Sequence, residues 1–134
     1  MATAIRGRSA TLSDLDGRTV LVVEDDPHLC GLINLLLEDE GYKPVSAANG
    51  LAALGLARRL RPALITLDLA LPLMDGQRVL DQLAADERTC HIPVVVVSAC
   101  ADTLRPTEQV KRVMGKPFEI DDLLGTVGSV ICRP

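Results

Sequence analysis

Aromatic side chains are nearly absent from this sequence: one Tyr, one Phe and no Trp in 134 residues. Platforms that stack single-stranded nucleic acid use exposed aromatic rings, so that class of function has almost no material here. Basic residues are outnumbered, with 14 Lys and Arg against 18 Asp and Glu and a formal charge of −4. Such a balance argues against a footprint on a phosphate backbone, and a DNA-binding output module would have to sit elsewhere. Long apolar runs are missing too. The run Val94–Val97 falls far short of the ~20 residues of a membrane span, and residues 1–13 lack the apolar stretch of a secretory signal. Cys30, Cys90, Cys100 and Cys132 stand apart with no CxxC pair. As disulfide partners, metal ligands or buried apolar fillers, they fit the last role best where nothing marks a secretory route. The expected compartment is the cytoplasm.

What is present is aliphatic. Hydrophobic residues make up 48% of the chain and charged residues 24%, a composition that excludes disorder and supplies a Leu, Val, Ile and Ala core. The length suits one domain. Residues 1–17 are small and polar without periodicity and read as a flexible leader; the domain proper is expected over 18–134. From Thr19 two kinds of segment alternate. Val20–Val23 is a continuous apolar run ending in three acids. Pro27–Glu40 carries Leu29, Leu32, Ile33, Leu36 and Leu37 at helical spacing. Asp26 followed by Pro27 is a good helix start, and Gly41 a plausible stop.

The alternation continues along the chain. Lys43–Ala47 contains Pro44, which is tolerated only on an edge strand. A helix runs from Asn49-Gly50 to Arg59, a strand over Ala63–Asp68, a helix over Gly76–Asp86, and a strand over Pro93–Ser98. Val110–Met114 makes a weaker strand, and Glu119–Val130 a last helix with Ile120, Leu123, Leu124 and Val127 on one face. Strands without polar alternation are buried on both sides, as in a parallel sheet covered by helices. Alternating β and α in this order predicts an α/β doubly wound fold.

In such folds ligands bind beyond the carboxyl ends of the strands. The residues predicted there are Glu24, Asp25 and Asp26 after the first strand, Asp68 after the third, Ser98 after the fourth and Lys116 after the fifth. Clustered carboxylates repel one another unless a cation lies among them, and hard oxygen donors in an incomplete cage suit Mg²⁺. Lys116 and Ser98 add an ammonium and a hydroxyl, both suited to phosphoryl oxygens. Together these groups make a site for phosphoryl transfer to Asp68. Asp26 reads better as a helix cap than as a metal ligand, and Asp75-Gly76 as turn chemistry. His28 reads as a surface residue on the rim, and His91 as ordinary loop.

Four stretches, LVVEDDP (21–27), LDLALPLMDG (67–76), HIPVVVVSA (91–99) and GKPF (115–118), closely resemble the response-regulator receiver domain of two-component signalling. The resemblance covers about residues 18–131. It implies a five-stranded parallel sheet of order 2-1-3-4-5 with helices on both faces. It implies that Asp68 accepts a phosphoryl group from a sensor histidine kinase or histidine phosphotransfer protein. Glu24 and Asp25 would hold Mg²⁺ together with Asp68 and the backbone carbonyl of Ala70. Lys116 would pair with the phosphoryl group, Ser98 would hydrogen-bond it and draw in the loop that follows, and the Lys116–Pro117 bond would be cis.

Two departures from the family pattern stand out. Lys116 follows Ser98 by 18 positions, about one helical turn of ~3.6 residues fewer than the family usually has. Pro106 falls in that interval, where it would break a helix. The helix between the fourth and fifth strands is therefore expected to be shortened or unwound. The switch aromatic usually found three residues before the lysine is here Val113. These changes leave the phosphorylation chemistry intact and predict an altered output face, with the signal leaving by another surface or without the usual dimer. Ala70 and Cys100 are small and border the acceptor, which predicts a short-lived phosphorylated state. Two other functions fit less well. A Mg²⁺-dependent aspartyl-phosphate phosphohydrolase wants a second Asp two residues after the nucleophile, where this chain has Ala70. A phosphorylation-independent interaction domain would normally have lost one of the five polar groups. The reading is a signalling switch that catalyses only its own phosphorylation and dephosphorylation.

Overall fold

The computed structural model describes residues 17–131. All of the expected leader (1–17) except Gly17, and Cys132, lie outside the described residues. Among the described residues five strands and four α-helices alternate: β1 (Thr19–Val23), α1 (Pro27–Asp39), β2 (Lys43–Ala47), α2 (Gly50–Leu60), β3 (Leu64–Leu67), α3 (Gly76–Ala85), β4 (Val94–Ser98), β5 (Val110–Gly115) and α4 (Ile120–Ile131). All strand pairs are parallel and the order is β2-β1-β3-β4-β5. The doubly wound sheet expected from the sequence is present. Pro44 lies on β2, an edge strand, where its missing N–H costs the sheet nothing.

Side chains alternate across the sheet and build two cores. On one face Leu21, Val23, Ile65, Leu67, Val94 and Val96 meet Ala53, Leu54 and Ala57 of α2 and Val79, Leu80 and Leu83 of α3. On the other, Val20, Val22, Leu64, Val95 and Val97 meet Cys30, Ile33 and Leu37 of α1 and Leu123 and Val127 of α4. Full burial of each such side chain contributes roughly 1.5–3 kcal/mol, which makes these stripes the main force holding helices to sheet. The helices start where side chains can cap them. Asp26 Oδ1 accepts from the amides of His28 (3.0 Å) and Leu29 (3.4 Å), as expected of a cap. Asn49 and Asp75 accept from Ala52 N and Arg78 N at 2.8 and 2.9 Å. Gly41 ends the first helix with φ +92°.

No α-helix connects β4 to β5. A single 3₁₀ turn, Ala101–Thr103, takes its place, in agreement with the short interval and Pro106. The cysteines only partly follow expectation. Cys30 is buried, but Cys90 is exposed and Cys100 half-buried, so filling the core explains one of the three described. Cys90 sits in the α3–β4 loop with its side chain exposed, while its neighbours Thr89 and Ile92 are buried.

Candidate functional site

The sheet brings the acids together because β1 and β3 are neighbours, with Val23 opposite Leu67. Glu24 and Asp68 each follow directly on their strand. The Glu24 amide donates to Ala47 O at 3.0 Å and the Asp68 amide to Val23 O at 3.1 Å, so backbone pairing fixes both side chains at the rim. Glu24 and Asp68 are buried, at 4% and 5% exposure, while Asp25 is exposed. Carboxylate oxygens of Glu24, Asp25 and Asp68 all lie within 4.8 Å of one another.

Lys116 reaches them from the far end of β5. Its ammonium donates to Glu24 Oε1 at 2.7 Å and to Asp68 Oδ2 at 2.9 Å. Each buried acid uses its other oxygen on a backbone amide: Glu24 Oε2 accepts from Asp26 N at 3.1 Å, and Asp68 Oδ1 from Ala70 N at 3.1 Å. The Lys116–Pro117 bond is cis. Burial pushes the Glu24 carboxyl above its usual range, and the bonds from Lys116 and the Asp26 amide offset this only in part. Burial also works against the charge of Lys116, but the two carboxylates outweigh it and hold the ammonium above its ordinary value. One ammonium among three carboxylates leaves two negative charges uncompensated. The donor set is all hard oxygen and one acid faces solvent, so the residues present fit a divalent cation that keeps part of its water shell.

Ser98 ends β4 opposite Gly115 and is fully buried. Its hydroxyl accepts from Cys100 N at 3.3 Å and lies 3.4 Å from Cys100 Sγ. It is thus engaged by the following loop, not by the carboxylates. Val113, in the place of the expected aromatic, is an aliphatic side chain 42% exposed. His28 and His91 are both exposed.

Two features of the rim were not evident from sequence. Gly76, the first residue of α3, lies so close to the segment after β3 that a Cβ there would stand 2.5 Å from Asp68 O and Leu69 Cα. The Asp75-Gly76 pair signalled a turn, but nothing signalled this contact. The side chain of Gln77 also grips the β4–β5 connection at both polar ends. Gln77 Oε1 accepts from Arg105 N at 2.9 Å, and Gln77 Nε2 donates to Arg105 O at 3.0 Å.

A model of the response regulator receiver domain family matches residues 20–127. The chain belongs to that family. It is 35% identical over 120 residues to the polar-differentiation response regulator DivK of Brucella anthropi, covering 85% of this chain and 96% of DivK. Its identity to the DNA-binding dual master transcriptional regulator RpaA of Synechocystis is also 35%, over 118 residues, but there this receiver spans only about half (49%) of the relative's length. Among solved structures, the receiver domain of the sensor histidine kinase PA1611 from Pseudomonas aeruginosa superimposes with a TM-score of 0.77 at 27% identity, covering 87% of this chain and 99% of that one. That structure holds a magnesium ion coordinated in its active-site cleft. The protein is a receiver domain of two-component signalling, and its fourth interstrand connection carries a 3₁₀ turn and no α-helix.

Proposed function

We propose that this receiver takes a phosphoryl group onto Asp68 from a phosphohistidine on a sensor histidine kinase or a histidine phosphotransfer protein. The observation that carries the reading is the pair of buried acids, Glu24 and Asp68, bridged by one lysine with Asp25 open beside them. Glu24, Asp25, Asp68 and the backbone carbonyl of Ala70 would hold Mg²⁺, which when bound offsets negative charge on the phosphoryl oxygens. A carboxylate oxygen of Asp68 forms the new bond to phosphorus as the P–N bond to histidine breaks, and the bonding pair leaves with the imidazole. Lys116 already contacts Asp68 at 2.9 Å, so a small shift brings its ammonium onto a phosphoryl oxygen. Ser98 offers its hydroxyl proton to a phosphoryl oxygen while its oxygen still accepts from the Cys100 amide. Hydrolysis reverses the charge change: water attacks phosphorus, inorganic phosphate leaves and the Asp68 carboxylate returns. The small side chains of Ala70 and Cys100 leave room for that water.

In this reading the domain has no reaction beyond its own phosphorylation and dephosphorylation, and it works in the cytoplasm, where such kinases present their phosphohistidine. No helix among the described residues is long and apolar enough to cross a membrane. The test is incubation with acetyl phosphate and Mg²⁺, followed by a phosphate-affinity gel. The wild type is expected to give a retarded band that Asp68→Asn lacks. Retardation of neither protein would favour a phosphorylation-independent interaction domain. Consumption of acetyl phosphate in large excess over protein would favour a phosphohydrolase.

A further inference from the structure

The connection between β4 and β5 is short, not helical, and tied at three places. At its start the Ser98 hydroxyl accepts from the Cys100 amide. Residues 100–104 then form one compact turn: Thr103 N and Thr103 Oγ1 both donate to Cys100 O, at 3.2 and 2.9 Å, and Leu104 N donates to Ala101 O at 3.2 Å. Arg105 follows at once, and both of its backbone polar groups are bound by the Gln77 side chain. Asp81, one turn further along α3, accepts from Gln77 Nε2 at 3.2 Å and pairs with the Arg105 guanidinium at 3.5 Å. At the end of the connection the buried Gln109 donates to Thr89 O and Ile92 O at 3.0 and 2.8 Å.

These ties give the turn little freedom except about its two ends. Ser98 is fully buried and its hydroxyl accepts from the Cys100 amide while keeping its own proton to donate, so a bond to a phosphoryl oxygen on Asp68 would join that oxygen to the Cys100 amide through one hydroxyl. Any movement of Ser98 toward that oxygen then carries residues 100–104 with it, because their own bonds hold them as one turn, and the next group they pull on is Arg105. The β5 side offers no matching lever: Val113 is an exposed aliphatic side chain with no inward ring movement available. The α3 side offers two. Gly76 abuts the backbone of Asp68, and Gln77, its neighbour in the first turn, holds Arg105.

We infer that α3 is the element that reads phosphorylation in this receiver, and that the Gln77–Arg105 clasp is the coupling between the Ser98 loop and that helix. This rests on Asp68 being the phosphoryl acceptor. A two-ended clasp suits such a device because it holds backbone, so a shift of the segment is passed to the helix and not absorbed by a flexible side chain.

The experiment is amide chemical-shift mapping of the full chain, saturated with beryllofluoride and Mg²⁺ as a stable phosphoryl stand-in. Three proteins are compared: wild type, Gln77→Met and Arg105→Ala. The last keeps the backbone clasp and loses only the Asp81 pair. In the wild type, perturbations are expected at residues 68–70, at 98–105 and along the distal half of α3, residues 81–85. Gln77→Met should keep the first two and lose the third by about fivefold or more, the lower end of usual coupling strengths. Arg105→Ala should keep all three. Unperturbed residues 81–85 in the wild type, or an undiminished response there in Gln77→Met, would overturn the inference. In the second case the signal would run through the Gly76 contact. If residues 68–70 do not respond in any of the proteins, the acceptor reading itself fails and takes the coupling with it.

Discussion

Two connections cross the same face of the sheet and are built on different principles. Between β3 and β4 the ten-residue helix α3 presses Val79, Leu80 and Leu83 into the core. Between β4 and β5 the chain makes one 3₁₀ turn, and from the turn region only the half-buried Cys100, Leu104 and Val110 reach that core. An amphipathic helix needs apolar residues every three or four positions. Residues 76–85 supply them, whereas residues 99–109 supply one leucine and a proline. The second connection is therefore held by polar clasps from neighbouring elements, through Gln77 and Gln109, and little by apolar burial. Segments with few buried apolar contacts open at low cost. The Glu24, Asp25 and Asp68 cluster sits at the join, at the ends of the firmly packed strands, with Ser98 at the mouth of the sparsely packed connection.

The sharpest way to break this contrast is to remove matched leucines. Leu80→Ala deletes a fully buried side chain of α3 and is expected to cost about 2–5 kcal/mol in urea unfolding. Leu104→Ala, from the half-buried turn, should cost about 1 kcal/mol. Equal losses would mean that the two connections are equally packed.

Neutralising Glu24 should have a smaller effect of opposite sign. Burial holds the Glu24 carboxyl above its usual range, so its ionised form opposes folding at neutral pH when no cation is bound. Glu24→Gln is expected to raise the metal-free thermal midpoint while abolishing the rise that Mg²⁺ produces in the wild type. A wild-type midpoint indifferent to Mg²⁺ would remove the metal from the account.

The smallest effect concerns the end of α3. Asp86 accepts from the Arg88 side chain and amide, at 2.9 Å for the closest guanidinium contact and 2.8 Å for the amide, and from Arg58 at 3.0 Å. These bonds hold its carboxyl well below the usual carboxylate range. A carboxylate depressed in the folded state stabilises above its unfolded pKa of about 3.9 and loses that contribution as pH falls toward the folded value. Wild type should therefore exceed Asp86→Asn in denaturant midpoint by a modest, constant margin above pH 5. The margin should narrow below pH 4. A margin undiminished at pH 2 would point to packing instead of charge.

The sequence made the helical connections and the strand ends legible for one reason: each rests on local pattern. Apolar spacing located α1 to α4, Asp26, Asn49 and Asp75 marked helix starts, and unbroken valine and leucine runs located the buried strands. Short spacing and Pro106 even foretold the missing helix. The acid cluster was legible because parallel strands bring their carboxyl ends to one rim wherever the chain folds this way. The clasp was not. Gln77 is an ordinary polar residue on a helix, and its partner is a backbone group 28 positions away; no local pattern encodes such a meeting. The close approach of Gly76 to Asp68 escaped for the same reason, since a glycine after Asp is explained well enough by a turn. Cys90 shows the converse failure: composition assigned it to a core that the fold does not extend to it.

The central claim is that intact acceptor chemistry coexists with a helix-free β4–β5 connection. Backbone secondary chemical shifts, recorded on one sample before and after saturation with beryllofluoride and Mg²⁺, test both halves together. The account predicts saturable perturbation around Asp68, with no helical shifts beyond the 3₁₀ turn, over residues 104–108, in either state. A run of helical shifts continuing from residue 101 through residue 108, or no response around Asp68, would contradict it.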